Sequence, residues 1–167
     1  GHGLSDEYSN GNGSLMRILP LAFTAAGPSD IEAVSSITHA HATSVEACLL
    51  YVAIARRLLK GQQLPEILSG LETSTTYARL QTLAELTEDD IRSTGYVVDT
   101  LEAALWCLLT STSYLETVLK AVNLGDDTDT VAAVAGGLAG IIYGLEGIPD
   151  NWLAQLRHKE LLESCLF

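Results

Sequence analysis

Apolar residues recur at helical spacing along most of this chain, and that period constrains the fold more than any other feature. Val45, Cys48, Leu49, Val52, Ala55 and Leu59 share one helical face, and Val98, Leu101, Leu105 and Leu108 form a second stripe. Leu115, Val118, Leu119 and Val122 mark a short amphipathic helix that stops at Gly125. The residues between the stripes agree with them. Ser29 followed by Glu32 reads as a capping box opening a helix near Ile31, and Ser113 with Glu116 as a second one. Thr43 or Ser44 is placed to cap the helix that Gly61 can end. Pro149 falls at N1 of a last helix over residues 150–162. No strand-length alternation and no internal repeat appears. The expected fold is all-α, with helices packed around a Leu/Ala/Val core.

The chain has 167 residues, 47% of them hydrophobic and 18% charged, enough for one domain with a sizeable core. A net charge of −12 argues against duplex nucleic acid and anionic membrane surfaces as partners, since both demand a Lys/Arg surplus. Cys48, Cys107 and Cys165 are far apart and odd in number, which suits apolar packing in a reducing compartment. The longest apolar run, residues 131–145, is short for a membrane span. These features predict a soluble, cytoplasmic protein.

Residues 1–14 are rich in Gly, Asn and Ser and lack periodicity, so they should be loop, with helices over 15–167. Within that loop, SNGNGS (Ser9, Asn10, Gly11, Asn12, Gly13, Ser14) favours tight turns whose N–H groups can form an anion-binding nest, with Arg17 as a phosphate partner. A plain turn before the apolar segment 15–23 explains the same residues. THAH places His39 and His41 just before a helix, as ligand contacts or as surface residues; neither has the spacing of a zinc site.

The acidic loop GDDTDT carries the most chemistry. Asp126, Asp127 and Asp129 crowd one helix start together with Thr128 and Thr130. One Asp at a helix N-terminus is favourable by itself; three exceed what capping needs. Such carboxylates repel unless a cation sits among them, and oxygen donors suit Mg²⁺, Ca²⁺ or Mn²⁺. A metal site and an over-capped helix start both fit. An EF-hand frame starting at Asp127 would need Glu where Leu138 stands. The phosphatase-type DxDxT reading needs a preceding buried strand, and a capped helix precedes it here. Gly136, Gly140 and Gly144 then recur on one helical face; at roughly 1 kcal/mol each relative to Ala, they imply close approach of a neighbouring backbone or a ligand, with tight helix packing the simpler account.

Four runs together resemble the ADP-ribosylglycohydrolase family, in the group related to the dinitrogenase-reductase-activating glycohydrolase: NGNGSLMRILPLAF, THAHATSVEAC, GYVVDTLEAALW and AVNLGDDTDTVAAVAGGLAGIIYG, with IPDNW after them. The resemblance implies an all-α fold, hydrolysis of the bond between ADP-ribose and its acceptor, and a two-metal Mg²⁺ or Mn²⁺ centre. The family's GxDxDT ligands correspond to Asp127, Asp129 and Thr130, with Asp126 in a supporting or capping role. The Asn/Gly loop that approaches the distal ribose and phosphates corresponds to Ser9, Asn10, Gly11, Asn12, Gly13 and Ser14, and the ADP-ribose-facing His to His39. His41 receives no role.

The runs correspond to the C-terminal part of the family domain. The family's earlier segment, with a T-D-D-T-type run supplying the remaining metal ligands and the expected general acid/base, has no counterpart in residues 1–167. The catalytic residues are therefore not assigned, and the isolated chain is expected to be inactive or nearly so. Expected partners are ADP-ribose or an ADP-ribosylated protein, together with an N-terminal half or a second copy of the chain. ADP-ribosyl-arginine is the first expected acceptor; serine-linked ADP-ribose, poly(ADP-ribose) and O-acetyl-ADP-ribose stay open. The competing expectation is a non-catalytic ADP-ribose-binding or structural protein.

Overall fold

The computed structural model describes residues 3–6 and 8–165 and contains eight α-helices among them. These are α1 (Pro28–Ser36), α2 (Ala42–Leu59), α3 (Leu64–Ser69), α4 (Val97–Leu109), α5 (Tyr114–Asn123), α6 (Thr128–Tyr143), α7 (Asp150–Gln155) and α8 (Lys159–Cys165). Short 3-10 turns cover Leu15–Arg17 and Leu19–Phe23. Pairing between extended segments among the described residues is limited to isolated bridges, Leu4 with His39 and Gly11 with Tyr96. The all-α expectation holds. No helix among the described residues is long and apolar enough to cross a membrane.

Three helices form the centre. α6 packs on α4 and α5, and α2 crosses both α4 and α6. The periodic residues explain why: Cys48, Val52 and Ala55 of α2, Leu101 and Leu105 of α4, and Val131, Ala135 and Leu138 of α6 are all removed from solvent. α4 is buried on nearly every side, so its stripe is one face of a helix wrapped by protein. The Tyr51 hydroxyl crosses this apolar centre to donate to the Val134 carbonyl of α6 at 2.8 Å. That contact depends on Gly137, where an added Cβ would stand 2.9 Å from the Tyr51 hydroxyl and 2.7 Å from Leu19 Cδ2.

The glycine expectation for α6 is thus partly corrected. A Cβ added at Gly136 would stand 3.4 Å from Tyr114 and Val118 of α5, close contact that leaves little room, but one at Gly140 would meet open space. Gly144 is the helix C-cap, with φ 68°. The more constrained neighbour is Gly137, one residue off the expected face.

Several helix starts also differ from expectation. α1 begins at Pro28, and Asp30 takes the Gly27 N–H at 2.7 Å, so the Ser29/Glu32 box is displaced by a proline that already fits the first turn. α2 is capped by His41, whose Nδ1 accepts from the Thr43 N–H at 3.2 Å, and neither Thr43 nor Ser44 is the cap. Ser113 caps α5 as expected, while Glu116 reaches the Thr112 N–H, one residue further back. The last helix is two: Pro149 is the N-cap of α7, and the chain breaks before α8 at His158, which has φ 56°.

Residues 75–85, within the stretch expected to be helical, form a long 3-10 segment (Thr75–Glu85). Its buried residues Tyr77, Leu80 and Leu83 stand three apart, the period of a 3-10 helix. The Tyr77 hydroxyl donates to the Thr43 carbonyl at 2.8 Å, and Arg79 pairs with the buried Glu102 of α4 at 3.4 Å. Arg79 also donates to the Asp90 carbonyl at 2.6 Å, tying this segment to the stretch just before α4.

Candidate functional site

The acidic loop begins where α5 ends. Gly125 has φ 88° and Asp126 φ 51°, two successive left-handed residues that reverse the chain. The reversal places Asp127 at the N-cap position of α6, yet its carboxylate makes no capping bond. It faces the Asn/Gly loop instead: Asn12 Nδ2 donates to Asp127 Oδ2 at 2.6 Å. Asp129 Oδ1 takes the Thr130 N–H at 2.9 Å, while Asp129 is otherwise exposed and Thr130 is buried. Asp126 is exposed and stands outside the cap, so the capping role expected for it is not what the fold gives it.

The turn at 93–97 is the common support. Asp127 N–H donates to the Ser93 carbonyl at 3.0 Å, and the Ser93 hydroxyl to the Gly125 carbonyl at 3.0 Å. On the other side, Asn12 N–H donates to the Gly95 carbonyl at 3.2 Å, and Val97 N–H to the Asn10 carbonyl at 3.1 Å. Two loops separated by more than a hundred residues are clasped to one turn. Thr100, wholly buried on α4, accepts from Asn12 Nδ2 at 2.8 Å.

His39 closes the third side. Its backbone is fixed by Ser35, which accepts the His39 N–H at 2.9 Å and donates its hydroxyl to the His39 carbonyl at 3.0 Å. Thr38 Oγ1 holds the imidazole Nδ1 at 2.8 Å, and the ring lies over the glycines. A Cβ on Gly13 would fall 2.6 Å from His39 Cε1, and one on Gly11 3.4 Å from Nε2. Gly13 is therefore required by the approach of the ring, whereas a Cβ at Gly11 would only reach contact distance.

The remaining loop residues are placed as follows. Ser44 donates to the Gly11 carbonyl at 3.1 Å. Ser14 is buried, its hydroxyl accepting from the Cys48 thiol at 3.5 Å. Ser9 lies at the loop entry, bonded to Asp6 at 2.8 Å. Arg17 is exposed and donates to the Val34 carbonyl at 3.2 Å. The structure thus brings together Asn10 through Gly13, His39, Asp127, Asp129 and Thr130, and leaves Ser9 at the edge. Ser93 and Thr100 were not singled out from sequence. Thr100 had one available signal: a polar side chain within the apolar stripe of α4.

The electrostatics follow from this packing. Burial lowers the His39 pKa, and the Arg17 guanidinium lowers it further, so the ring favours its neutral form. Burial works against the Asp127 carboxylate, but hydrogen bonds donated by the Asn12 amide and the Thr130 hydroxyl help hold the group below the usual Asp value. Asp127, Asp129 and Thr130 offer only hard oxygen donors, the right type for Mg²⁺ or Mn²⁺. Among the described residues no three His, Cys, Asp or Glu side chains gather as a cation-binding group. The donors fit such a cation in kind.

Residues 1–166 match the family model described as ADP-ribosylglycohydrolase. The ADP-ribosylarginine hydrolase Tri1 of Pseudomonas putida (strain GB-1) is 37% identical over 97% of this chain and 47% of its own length. The ADP-ribosyl-[dinitrogen reductase] glycohydrolase of Rhodospirillum rubrum is 32% identical over 92% of this chain and 53% of its own. A solved structure titled ADP-ribosylglycohydrolase-related protein complex superposes with a TM-score of 0.81 at 32% identity, covering 96% of this chain and 59% of that one. The chain spans about half the length of the curated relatives it matches.

Proposed function

The chain belongs to the ADP-ribosylglycohydrolase family, and on that footing we propose that it supplies one half of a site that hydrolyses the glycosidic bond between ADP-ribose and its acceptor. The acceptor we propose is arginine, following the name of the ADP-ribosylarginine hydrolase relatives. The observation that supports this reading most is the convergence of the Asn/Gly loop, His39 and the acidic loop around residues 93–97.

In this proposal Asp127, Asp129 and Thr130 hold Mg²⁺ or Mn²⁺ from one side. Bound there, a dinuclear centre would act as a Lewis acid on water and on ribose hydroxyls. The chain's own contribution is placement. Asn10, Gly11, Gly13 and the backbone of Asn12 form the wall against which ADP-ribose lies, and neutral His39, with Nδ1 committed to Thr38, presents Nε2 beside that wall. The acidic loop puts carboxylates where a cationic, oxocarbenium-like ribose would develop charge.

Titration calorimetry with ADP-ribose in Mg²⁺ buffer tests the reading. Binding is expected, and its absence at millimolar ligand would sink the proposal. With an ADP-ribosyl-arginine peptide, the chain by itself should release little or no ADP-ribose, because its donors fill only part of a metal sphere. Robust Mg²⁺-dependent release would overturn the half-site reading. The same shortage of donors favours the second reading, a non-catalytic ADP-ribose-binding protein. Adding the complementary metal-ligand segment separates the two: hydrolysis is restored in the first and absent in the second.

A further inference from the structure

Asn12 is 9% exposed, and its side-chain amide carries two hydrogens. One goes to Thr100 Oγ1 at 2.8 Å and the other to Asp127 Oδ2 at 2.6 Å. Both donors are therefore spent inside the protein, and neither is left for a ligand. Thr100 is itself fixed, donating to the Thr94 carbonyl at 2.9 Å. The Asn12 backbone is anchored separately, through its N–H to the Gly95 carbonyl. A chain of hydrogen bonds thus runs from the buried wall of α4 through Asn12 to one oxygen of Asp127.

We propose that Asn12 is a positioning residue for the cation site, orienting the Asp127 carboxylate, and not a side chain that binds substrate. This rests on the proposed metal role of Asp127. Outer partners of metal ligands act in this way, fixing the direction of the ligand's free lone pairs, and their loss commonly costs about 10–100-fold in metal affinity. The geometry also explains why an Asn serves here. Asp would set a second carboxylate against Asp127, and Ser has one hydrogen where two are needed.

The test titrates Mn²⁺ into the chain, reading water-proton relaxation for affinity and electron paramagnetic resonance for the symmetry of the bound ion. The variants are Asn12→Ala, Thr100→Val and Asp127→Asn, each with a thermal melt. Asp127→Asn should abolish specific binding. Asn12→Ala should weaken Mn²⁺ by about tenfold or more and change the resonance line shape while the melt stays cooperative. Thr100→Val, which keeps Asn12 but frees its anchor, should weaken it less, in the same direction. If Asp127→Asn abolishes binding while Asn12→Ala and Thr100→Val leave affinity and line shape unchanged, the positioning role is wrong and the metal reading stands. If the chain binds no Mn²⁺, or Asp127→Asn binds it normally, the metal reading fails and this inference falls with it. Should Asn12→Ala fail to fold, Thr100→Val decides.

Discussion

Leu138 and Asn12 are both buried, but different forces hold them. Leu138 sits at 0% exposure among apolar side chains of α2, α4 and α6, where dispersion and the removal of water dominate and no direction is favoured. Asn12 is covered by loops and satisfied by hydrogen bonds of fixed direction to Thr100, Asp127 and Gly95. The helical centre therefore sets how stable the chain is, and the loop cluster sets where charges and ligands go. Damage to one should leave the other largely readable.

The largest expected effect is on the apolar side. Leu138→Ala should destabilise the fold by about 2–5 kcal/mol through lost burial and a cavity, read as a lower denaturation midpoint. ADP-ribose affinity of the fraction that stays folded should be unchanged; a large affinity loss would show that core and site are not separable. Gly13→Ala should do the reverse. Its Cβ would press on His39 Cε1, shifting the ring and lowering ADP-ribose affinity by about tenfold, the equivalent of roughly one hydrogen bond, with little change in melting. An unaffected titration would remove His39 from the proposed ligand wall.

The smallest effect is a pH dependence. The His39 pKa is lowered in the fold by burial, with Arg17 adding to it. Below the unfolded value of about 6.5 the unfolded chain binds the extra proton first. The contribution of His39 is thus fully present above that pH and is lost as pH falls through 6.5 toward the lower folded value. Denaturant titrations from pH 7.5 to 5.5 should show a shallow decline that His39→Gln reduces. An equal slope in the variant would assign the decline to other groups.

The helices were readable because their apolar residues keep a period that requires no knowledge of neighbours. Cys48, Val52, Leu101 and Leu105 read as core and are core. Boundaries were less readable. His41 caps α2 through its ring, a role that composition does not signal, and the 3-10 segment at Thr75–Glu85 follows a period of three that a search for 3.6 passes over. Gly137 was hidden for another reason: what it makes room for, Leu19 and Tyr51, lies far away in sequence.

Taken alone, the sequence determined the helical class, much of the core, and the motifs that tie this chain to its family; Leu59, Leu115, Leu119 and Val122, which share the same stripes, are exposed. Class, core and motifs depend on local period and residue type. Only the tertiary structure decided that the Asn/Gly loop and the acidic loop share one turn as support, and that Asn12 spends both amide hydrogens on Thr100 and Asp127. Hydrogen bonds are directional and short. Which donor meets which acceptor is fixed when helices pack and bring distant loops within 3 Å or so of each other, and no spacing along a single chain records it.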